Sequence, residues 1–373
     1  MATYNLISKK IYVGVDVDDT MFTIAAIKPD GELINMKCSP NTKSLIKKLN
    51  SISSNKNHIK ICYESTYLGF SLSRKLQNAG FDCVVIAASL IPSLASKKIK
   101  TDRVDSENLA LYFKQGLLTE VYQPTQKDET VKQIIRYRKF LVEQLKASKN
   151  KLRSECRLFG FQLPISRNWS ENHCQKITKI IEENVASDFR EIFYEQIEYI
   201  LKQCNQIQSI EKKINLYSED HDYKKQHDAL ICLRGIKTIS AMALIVELGD
   251  ITRFKHPNQI ASYLGLSIRE YSSGGKENKF GISKQGNKRL RTTLVEANQV
   301  LPKRPYATES ISRRRKNQPT EIINIAKKWD KRVYQKSQTL IQKNKNKNKV
   351  KVACAREQIG FVWEILNTIS KAG

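Results

Sequence analysis

Apolar and polar positions alternate in short runs over the first third of the chain and recur at three- and four-residue steps beyond it. Ile11–Val17 and Phe22–Ile27 are rich in β-branched residues. Pro29-Asp30-Gly31-Glu32 is a turn sequence and Leu33–Lys37 returns, so residues 11–37 predict an antiparallel meander. A helical pattern at Thr42–Leu49 and a strand at Ile59–Tyr63 come next. A helix over Leu68–Ala79, closed by Gly80, and a strand at Cys83–Ile86 follow. Residues 102–115 read as a helix with Leu109, Tyr112 and Phe113 available for packing.

Helical spacing then dominates. Thr130–Leu158 places Ile134, Ile135, Leu141, Leu145 and Leu152 on one side and a row of Arg and Lys on the other, until Gly160 and Pro164 break it. A second long helix is predicted over Ser187–Tyr217, with Ile200, Cys204, Ile207, Ile210 and Ile214 in step. Two such helices fit an antiparallel coiled coil or dimerising arm, and equally a plain helical bundle. The polar segment Ser218–Lys225 reads as a linker. Beyond it, Ile239–Leu248 forms an apolar helix stopped by Gly249, and Pro257 opens a short helix to Leu264. This helix–Gly-turn–helix pattern is the kind that holds DNA phosphates on backbone N–H groups. An extended Ser267–Gly275, a Gly- and Lys-rich turn, a basic helix bearing Lys284, Lys288, Arg289 and Arg291, and a last helix over Ala353–Ile369 complete the pattern.

The formal charge of this 373-residue chain is +27. That excess points to a polyanion, above all nucleic acid. It is uneven: basic residues outnumber acidic ones 16 to 11 in residues 1–120, and 18 to 5 in residues 301–373. Arg313-Arg314-Arg315-Lys316 and the alternating Lys343–Lys349 run read as phosphate contacts or flexible loop. The eight cysteines form no Cys-x-x-Cys pair, and the five histidines complete no zinc pattern. Buried reduced thiols are the expectation. Met1–Lys10 has no apolar core, and the longest apolar stretch, Cys83–Ala95, is too short to span a bilayer. A soluble cytoplasmic protein is expected, with no membrane partner and with the nucleoid as its place of action.

Against that basic background, four acids stand out. Asp16 sits inside the apolar run Ile11–Val17, and Glu64 ends the run Ile59–Glu64. Asp102 and Asp105 are three apart at a helix start. A carboxylate inside a Val-Gly-Val-Asp-Val strand needs a partner. If the two strands are neighbours, all four carboxylates converge. Such a set, with no His or Cys, suits magnesium, and two ions about 3.5–4 Å apart are what phosphodiester transfer uses. The meander followed by alternating helices and strands, with acids at these places, selects a ribonuclease-H-like fold within the α/β class.

A second constellation is Tyr271-Ser272-Ser273-Gly274-Gly275-Lys276. Backbone beside two glycines approaches a phosphate closely, and Lys276, Lys284, Arg289 and Arg291 are candidate phosphate contacts. By spacing alone Ser-Ser-Gly-Gly is a turn, and Tyr271 is a rival nucleophile.

Together these residues resemble the DEDD transposases of insertion-sequence family one-hundred-ten, relatives of the Piv-type DNA invertases. The segments carrying the likeness are Gly14-Val15-Asp16-Val17, Tyr63-Glu64-Ser65-Thr66 and Lys100–Asp105 in the first third. In the last third they are Gly235-Ile236, Phe254, Tyr263–Leu266, Arg269-Glu270, Ser273-Gly274 and Lys284-x-Gly286-Asn287-x-x-Leu290-Arg291. The resemblance implies a RuvC-like catalytic domain over residues 1–125, with Asp16, Glu64, Asp102 and Asp105 as a magnesium-binding catalytic tetrad. It implies a helical coiled-coil dimerisation region over 126–226 and a mainly helical transposase domain over 227–373, in which Ser273 is the nucleophile. It further implies a phosphoserine intermediate, dimers or tetramers with tetrad and serine from different subunits, donor and target double-stranded DNA, and a structured bridge RNA as guide. Arg313, Arg314 and Arg315 join the nucleic-acid contacts.

Three positions depart from the pattern. Asp18-Asp19 replaces a small residue and a lysine, Arg234-Gly235-Ile236-Lys237 replaces Pro-Gly-Ile-Gly, and Ser272 adjoins Ser273. A RuvC-like junction endonuclease without a covalent intermediate, an invertase without an RNA guide, and a non-catalytic nucleic-acid-binding protein are the competing expectations.

Overall fold

The computed structural model describes residues 10–92, 101–166, 169–273 and 276–372. By contacts the chain divides into two compact units, residues 1–123 and 124–373.

The first unit is built on one mixed sheet. Strands β1 (Ile11–Val17), β2 (Phe22–Ile27) and β3 (Leu33–Cys38) form the meander, and β4 (Ile59–Glu64) and β5 (Asp82–Ile86) extend it in the order β3-β2-β1-β4-β5. β1 is antiparallel to β2 and parallel to β4. Helices α1 (Thr42–Ile52), α2 (Ser71–Asn78) and α3 (Asp102–Lys114) alternate with the later strands. This is the order expected of a ribonuclease-H-like domain.

Alternation along β1 sets the two faces. Val13 and Val15 are fully buried, and with Val17 they pack on Leu45 and Leu49 of α1 and Leu72 and Leu76 of α2. Each such side chain contributes about 1.5–3 kcal/mol on burial. The intervening residues Tyr12, Gly14 and Asp16 turn to the other face.

The second unit is helical apart from one hairpin. Helix α4 (Gln126–Leu158) starts four residues before the sequence pattern suggested, where Thr125 caps it by accepting from Asp128 N–H. After α5 (Glu171–Asn184), helix α6 (Ser187–Ser218) returns along α4. Arg138 Nε donates to Glu211 at 2.8 Å and Gln196 Nε2 to Glu155 at 2.5 Å, so the two helices run antiparallel within one chain.

The segment read as a linker is ordered: α6 runs to Ser218, Asp220 caps the next helix, and α7 (His221–Leu230) follows at once. Lys127 Nζ ties this turn to the start of α4 through Asp220 at 2.7 Å and Asp222 at 2.6 Å. Then come α8 (Thr238–Leu248), α9 (Pro257–Tyr263), and strands β6 (Ile268–Ser273) and β7 (Lys276–Ile282). Helices α10 (Lys288–Ala297), α11 (Glu309–Arg315), α12 (Thr320–Gln342) and α13 (Lys347–Ala372) complete the unit. The Lys-rich stretch read as a turn is thus strand β7, and the Lys343–Lys349 run spans the break after α12 and the start of α13. The apolar α8 sits in the centre of the core, with Met242, Leu244 and Leu248 fully buried.

All eight cysteines are free thiols, six of them buried. Burial pushes the Cys83 thiol up to about 12. Among the described residues, no helix is long and apolar enough to cross a membrane.

Candidate active site

Gly14 brings the acids together. A Cβ built there would lie 2.4 Å from Ser106 O, 2.6 Å from Ala110 N and 2.7 Å from Leu109 Cβ, so α3 rests directly on the β1 backbone. A glycine inside a strand often marks such a close approach. Two further contacts fix the direction of α3. Tyr12 and Phe113 meet edge to face at 5.6 Å, and Cys62 Sγ, beside Gly14 on the parallel neighbour β4, lies 3.7 Å from Leu109 O. The helix therefore runs antiparallel to β1, and its start comes to the Asp16 end of the strand.

Thr101 caps α3 by accepting from Val104 N–H, and Asp102 and Asp105 occupy the first turn. The positive end of the helix dipole favours both carboxylates there. On β4, Glu64 lies on the same face as Cys62, one step beyond the Val15–Tyr63 pair, next to Asp16.

The electrostatics agree with this placement. Burial, then the charges of Asp102, Asp105, Glu64 and Asp18 in that order, raise the Asp16 carboxyl from 3.8 to about 6. Four carboxylates around a half-buried position, with no ion pair to a cation among the described residues, are a donor set that fits hard divalent cations. They are not drawn tightly together. Among the described residues, the set of metal-ligand atoms all within 4.8 Å of one another is Asp220, His221 and Asp222. That set already has its counter-ion in Lys127, and His221 is 97% exposed.

Asp18 is the departure that reaches the site, contributing a fourth charge to the field at Asp16, while Thr20 hydrogen bonds hold its own carboxyl below the usual range. Asp19 faces outward to the Tyr67 hydroxyl, pushing that phenol up to about 12. The close approach at Gly14 is what the sequence reading missed; a lone glycine among β-branched residues was its signal.

In the second unit, Ser273 stands opposite Lys276 in the register of β6 and β7. Gly274 and Gly275 lie outside the described residues, as do the side chains of Tyr271, Ser272, Ser273 and Lys276, and Lys100 in the first unit. Lys284 precedes the basic helix instead of lying in it. It takes a left-handed conformation (φ 58°), and its N–H donates to Gly265 O.

The paired turns interlock: a Cβ on Gly265 would sit 2.1 Å from Gln285 O, and one on Gly286 2.2 Å from Tyr263 O. Both glycines have positive φ, so no side chain fits in either place. Arg289 is exposed on the first turn of α10, whereas Arg291 Nη1 is occupied by Leu264 O at 2.7 Å.

The arginine run divides. Arg313 is exposed beside Glu309. Arg314 Nη1 donates to Ile236 O at 2.7 Å. Arg315 is buried, paired with Asp330 at 2.7 Å and donating to Cys232 O. Arg315 is thus a core residue, unavailable to a phosphate.

At the helix–turn–helix, Gly249 takes φ 62° to end α8. Arg253 Nη2 donates to the Leu248 carbonyl at 2.9 Å, with its guanidinium on the Phe254 and Tyr263 rings. Glu247 near that end is buried and bound by Arg136 Nε of α4 at 2.8 Å and by Asn287 Nδ2 at 3.1 Å.

Comparison with known proteins gives two family matches. Residues 13–157 match the DEDD transposases of the IS110 type, and residues 227–310 match the transposase IS116/IS110/IS902 family. A putative transposase, y4qE, of Sinorhizobium fredii is 27% identical over 96% of this chain and 88% of its own length. The transposase for insertion sequence element IS1533 of Leptospira borgpetersenii is 25% identical over 90% of this chain and 98% of its own. The transposase for insertion sequence element IS1328 of Yersinia enterocolitica is 24% identical over 65% and 71%.

Proposed function

The chain belongs to the IS110 family of DEDD transposases, and on that premise we propose that it cleaves and rejoins DNA with Asp16, Glu64, Asp102 and Asp105 as a metal-binding tetrad and Ser273 as nucleophile. The observation that carries the reading is the placement of Glu64, Asp102 and Asp105 around the half-buried Asp16, whose carboxyl is raised to about 6 by burial first and then by the charges of those three and of Asp18. Clustered negative charge is a liability for a protein that only binds DNA, so a binding-only role does not account for it. Two magnesium ions held by the tetrad would neutralise charge on the attacking and leaving oxygens.

The chain's own groups do the rest. α3 presents Asp102 and Asp105 from a capped, dipole-favoured turn, and β1 and β4 hold Asp16 and Glu64 from adjacent strand ends. In the serine step, Ser273 Oγ forms a bond to phosphorus as the ester bond to deoxyribose breaks. The serine proton ends on the released sugar oxygen, and the strand stays attached as a phosphoserine ester. Reversal onto a different strand end rejoins DNA. Lys276, Lys284 and Arg289 are the phosphate contacts in this reading. The family likeness extends it to donor and target duplexes, a bridge RNA as guide, and dimers or tetramers in which tetrad and serine come from different subunits.

The test is recombination between element ends and a target, comparing Asp102→Ala with Ser273→Ala. Loss of recombination in both, and loss of a denaturant-stable protein–DNA adduct in Ser273→Ala, is expected. Cleavage to free ends without an adduct in the wild type would instead identify a junction endonuclease. Sequencing the RNA that co-purifies tests the guide.

A further inference from the structure

A recess of 1160 Å³ lies at the base of the β6–β7 hairpin, where the hairpin meets α9, α12 and α13. Its floor is apolar: Ile268, Phe280 and Ile282 come from the hairpin, Leu340 from α12 and Val352 from α13. Ile268 and Phe280 are 47% and 55% exposed, large apolar surfaces open to solvent. Around them stand Arg269, Lys284, Lys336, Lys349 and Arg356. One acid, Glu357, shares the lining, and it is already bound by Arg332 and by Lys336 at 3.0 Å. Two glycines leave the walls bare. A Cβ on Gly360 of α13 would meet only Pro257 Cβ, at 3.8 Å, and one on Gly281 would meet nothing within 4 Å.

We propose that this recess holds an unpaired stretch of DNA strand beside the phosphate that Ser273 attacks, its bases on the apolar floor and its phosphates on the cationic rim. The inference rests on the serine reading of the hairpin. A duplex keeps its base faces stacked and offers phosphates and groove edges, so it has no use for the apolar floor. An unpaired strand offers both a backbone charge and free base faces, the pairing that cationic grooves with aromatic platforms select. A second copy of this chain is a poor occupant, because its charge is +27. DNA is favoured over RNA by position: Arg269 lies four residues along β6 from Ser273, roughly 13 Å at strand rise.

The experiment uses the full chain and fluorescence anisotropy. A labelled unpaired DNA oligonucleotide of about 16 nucleotides is compared with the same sequence as duplex and as RNA. Gly360→Leu fills the recess from a helix interior, where leucine is a better helix former than glycine, so the fold is kept. It is expected to weaken unpaired-strand binding about tenfold and to leave duplex affinity unchanged. The double variant Lys349→Ala/Arg356→Ala is expected to flatten the salt dependence for the unpaired strand by roughly 1.4 in logarithmic slope.

Equal affinity of the wild type for duplex and unpaired strand overturns the inference, as does tighter binding of the RNA. Unchanged strand binding in Gly360→Leu, with or without a change in sedimenting mass, overturns it too. The two readings fail separately. Recombination that needs Asp102 and Ser273, without unpaired-strand preference, sinks only the recess. Full recombination by Ser273→Ala sinks the serine reading, and with it the reason for placing the strand here.

Discussion

Replacing Asp16 by Asn should stabilise the metal-free protein while abolishing its chemistry. Burial and then the charges of Asp102, Asp105, Glu64 and Asp18 hold the Asp16 carboxyl at about 6 instead of 3.8. A shift of about two units corresponds to at most about 3 kcal/mol, at about 1.36 kcal/mol per unit. Asp16 is only partly buried, and solvent screening reduces this to roughly 1–1.5 kcal/mol. Because the folded chain binds this proton more tightly than the unfolded chain, the stability it contributes is fully present below pH 3.8 and is lost as pH rises through 6. Asparagine is uncharged throughout and escapes that loss.

Thermal unfolding in chelator is the assay. At pH 7.5 the Asn variant should melt roughly 3–5 °C above the wild type, and near pH 4 the two should coincide. Magnesium should raise the wild-type melting temperature more than that of the variant. A lower melting temperature for the variant at pH 7.5 in chelator, or a gap that persists at pH 4, would refute the reasoning.

Gly14→Ala forces a Cβ into the α3 backbone at 2.4 Å from Ser106 O; it should cost about 1–3 kcal/mol in urea unfolding and slow DNA cleavage by moving Asp102 and Asp105 away from Asp16. Arg315→Ala removes the 2.7 Å partner of buried Asp330 and leaves it only Arg234 at 3.3 Å, so it should cost about 3 kcal/mol, the low end for a broken buried pair, whereas Arg313→Ala should leave the melting temperature unchanged and lower the salt dependence of DNA binding. At Glu247, burial alone would raise the carboxyl, but the Arg136 hydrogen bond and charge, Lys132 and Asn287 together hold it below the usual range. Its stabilisation is therefore present above pH 4.5 and lost as pH falls below it, and Glu247→Gln should flatten that acid limb of the unfolding profile.

The first unit was legible because its signals are local. β1 to β5 are each marked by a short apolar or β-branched run of their own, and a carboxylate among valines is conspicuous in any context. What the pattern hid depends on partners. Nothing in Lys276–Phe280 distinguishes a Lys-rich turn from a strand until β6 pairs with it. Helix α12 has no counterpart in the sequence reading, though Ile322, Ile325, Ala326, Trp329 and Val333 are buried at helical steps between its lysines. The arginine run shows the same limit at one-residue resolution. Arg313 and Arg315 are indistinguishable in sequence, and the helical turn of α11 sends one to solvent and the other to Asp330. The recess cations were out of reach because they come from the hairpin, the turn after it, α12 and α13 and become neighbours only on folding.

The tetrad and the basic surface pull a DNA phosphate in opposite senses, and that conflict is measurable. The overall charge of +27 attracts duplex from a distance, but at Asp16 a phosphate meets the charges of Asp102, Asp105, Glu64 and Asp18 as well. A divalent cation at the tetrad turns that repulsion into attraction, so cation and DNA should each strengthen the other's binding by the same factor. A coupling of roughly 5–150-fold is the usual range. In chelator, Asp102→Ala removes one repelling charge and should bind duplex more tightly than the wild type; in magnesium the order should reverse. Anisotropy titrations of one duplex under both conditions decide it. If Asp102→Ala binds duplex more weakly than the wild type in chelator, Asp102 serves the duplex through contacts of its own, and the acids are not the electrostatic barrier that their effect on Asp16 implies.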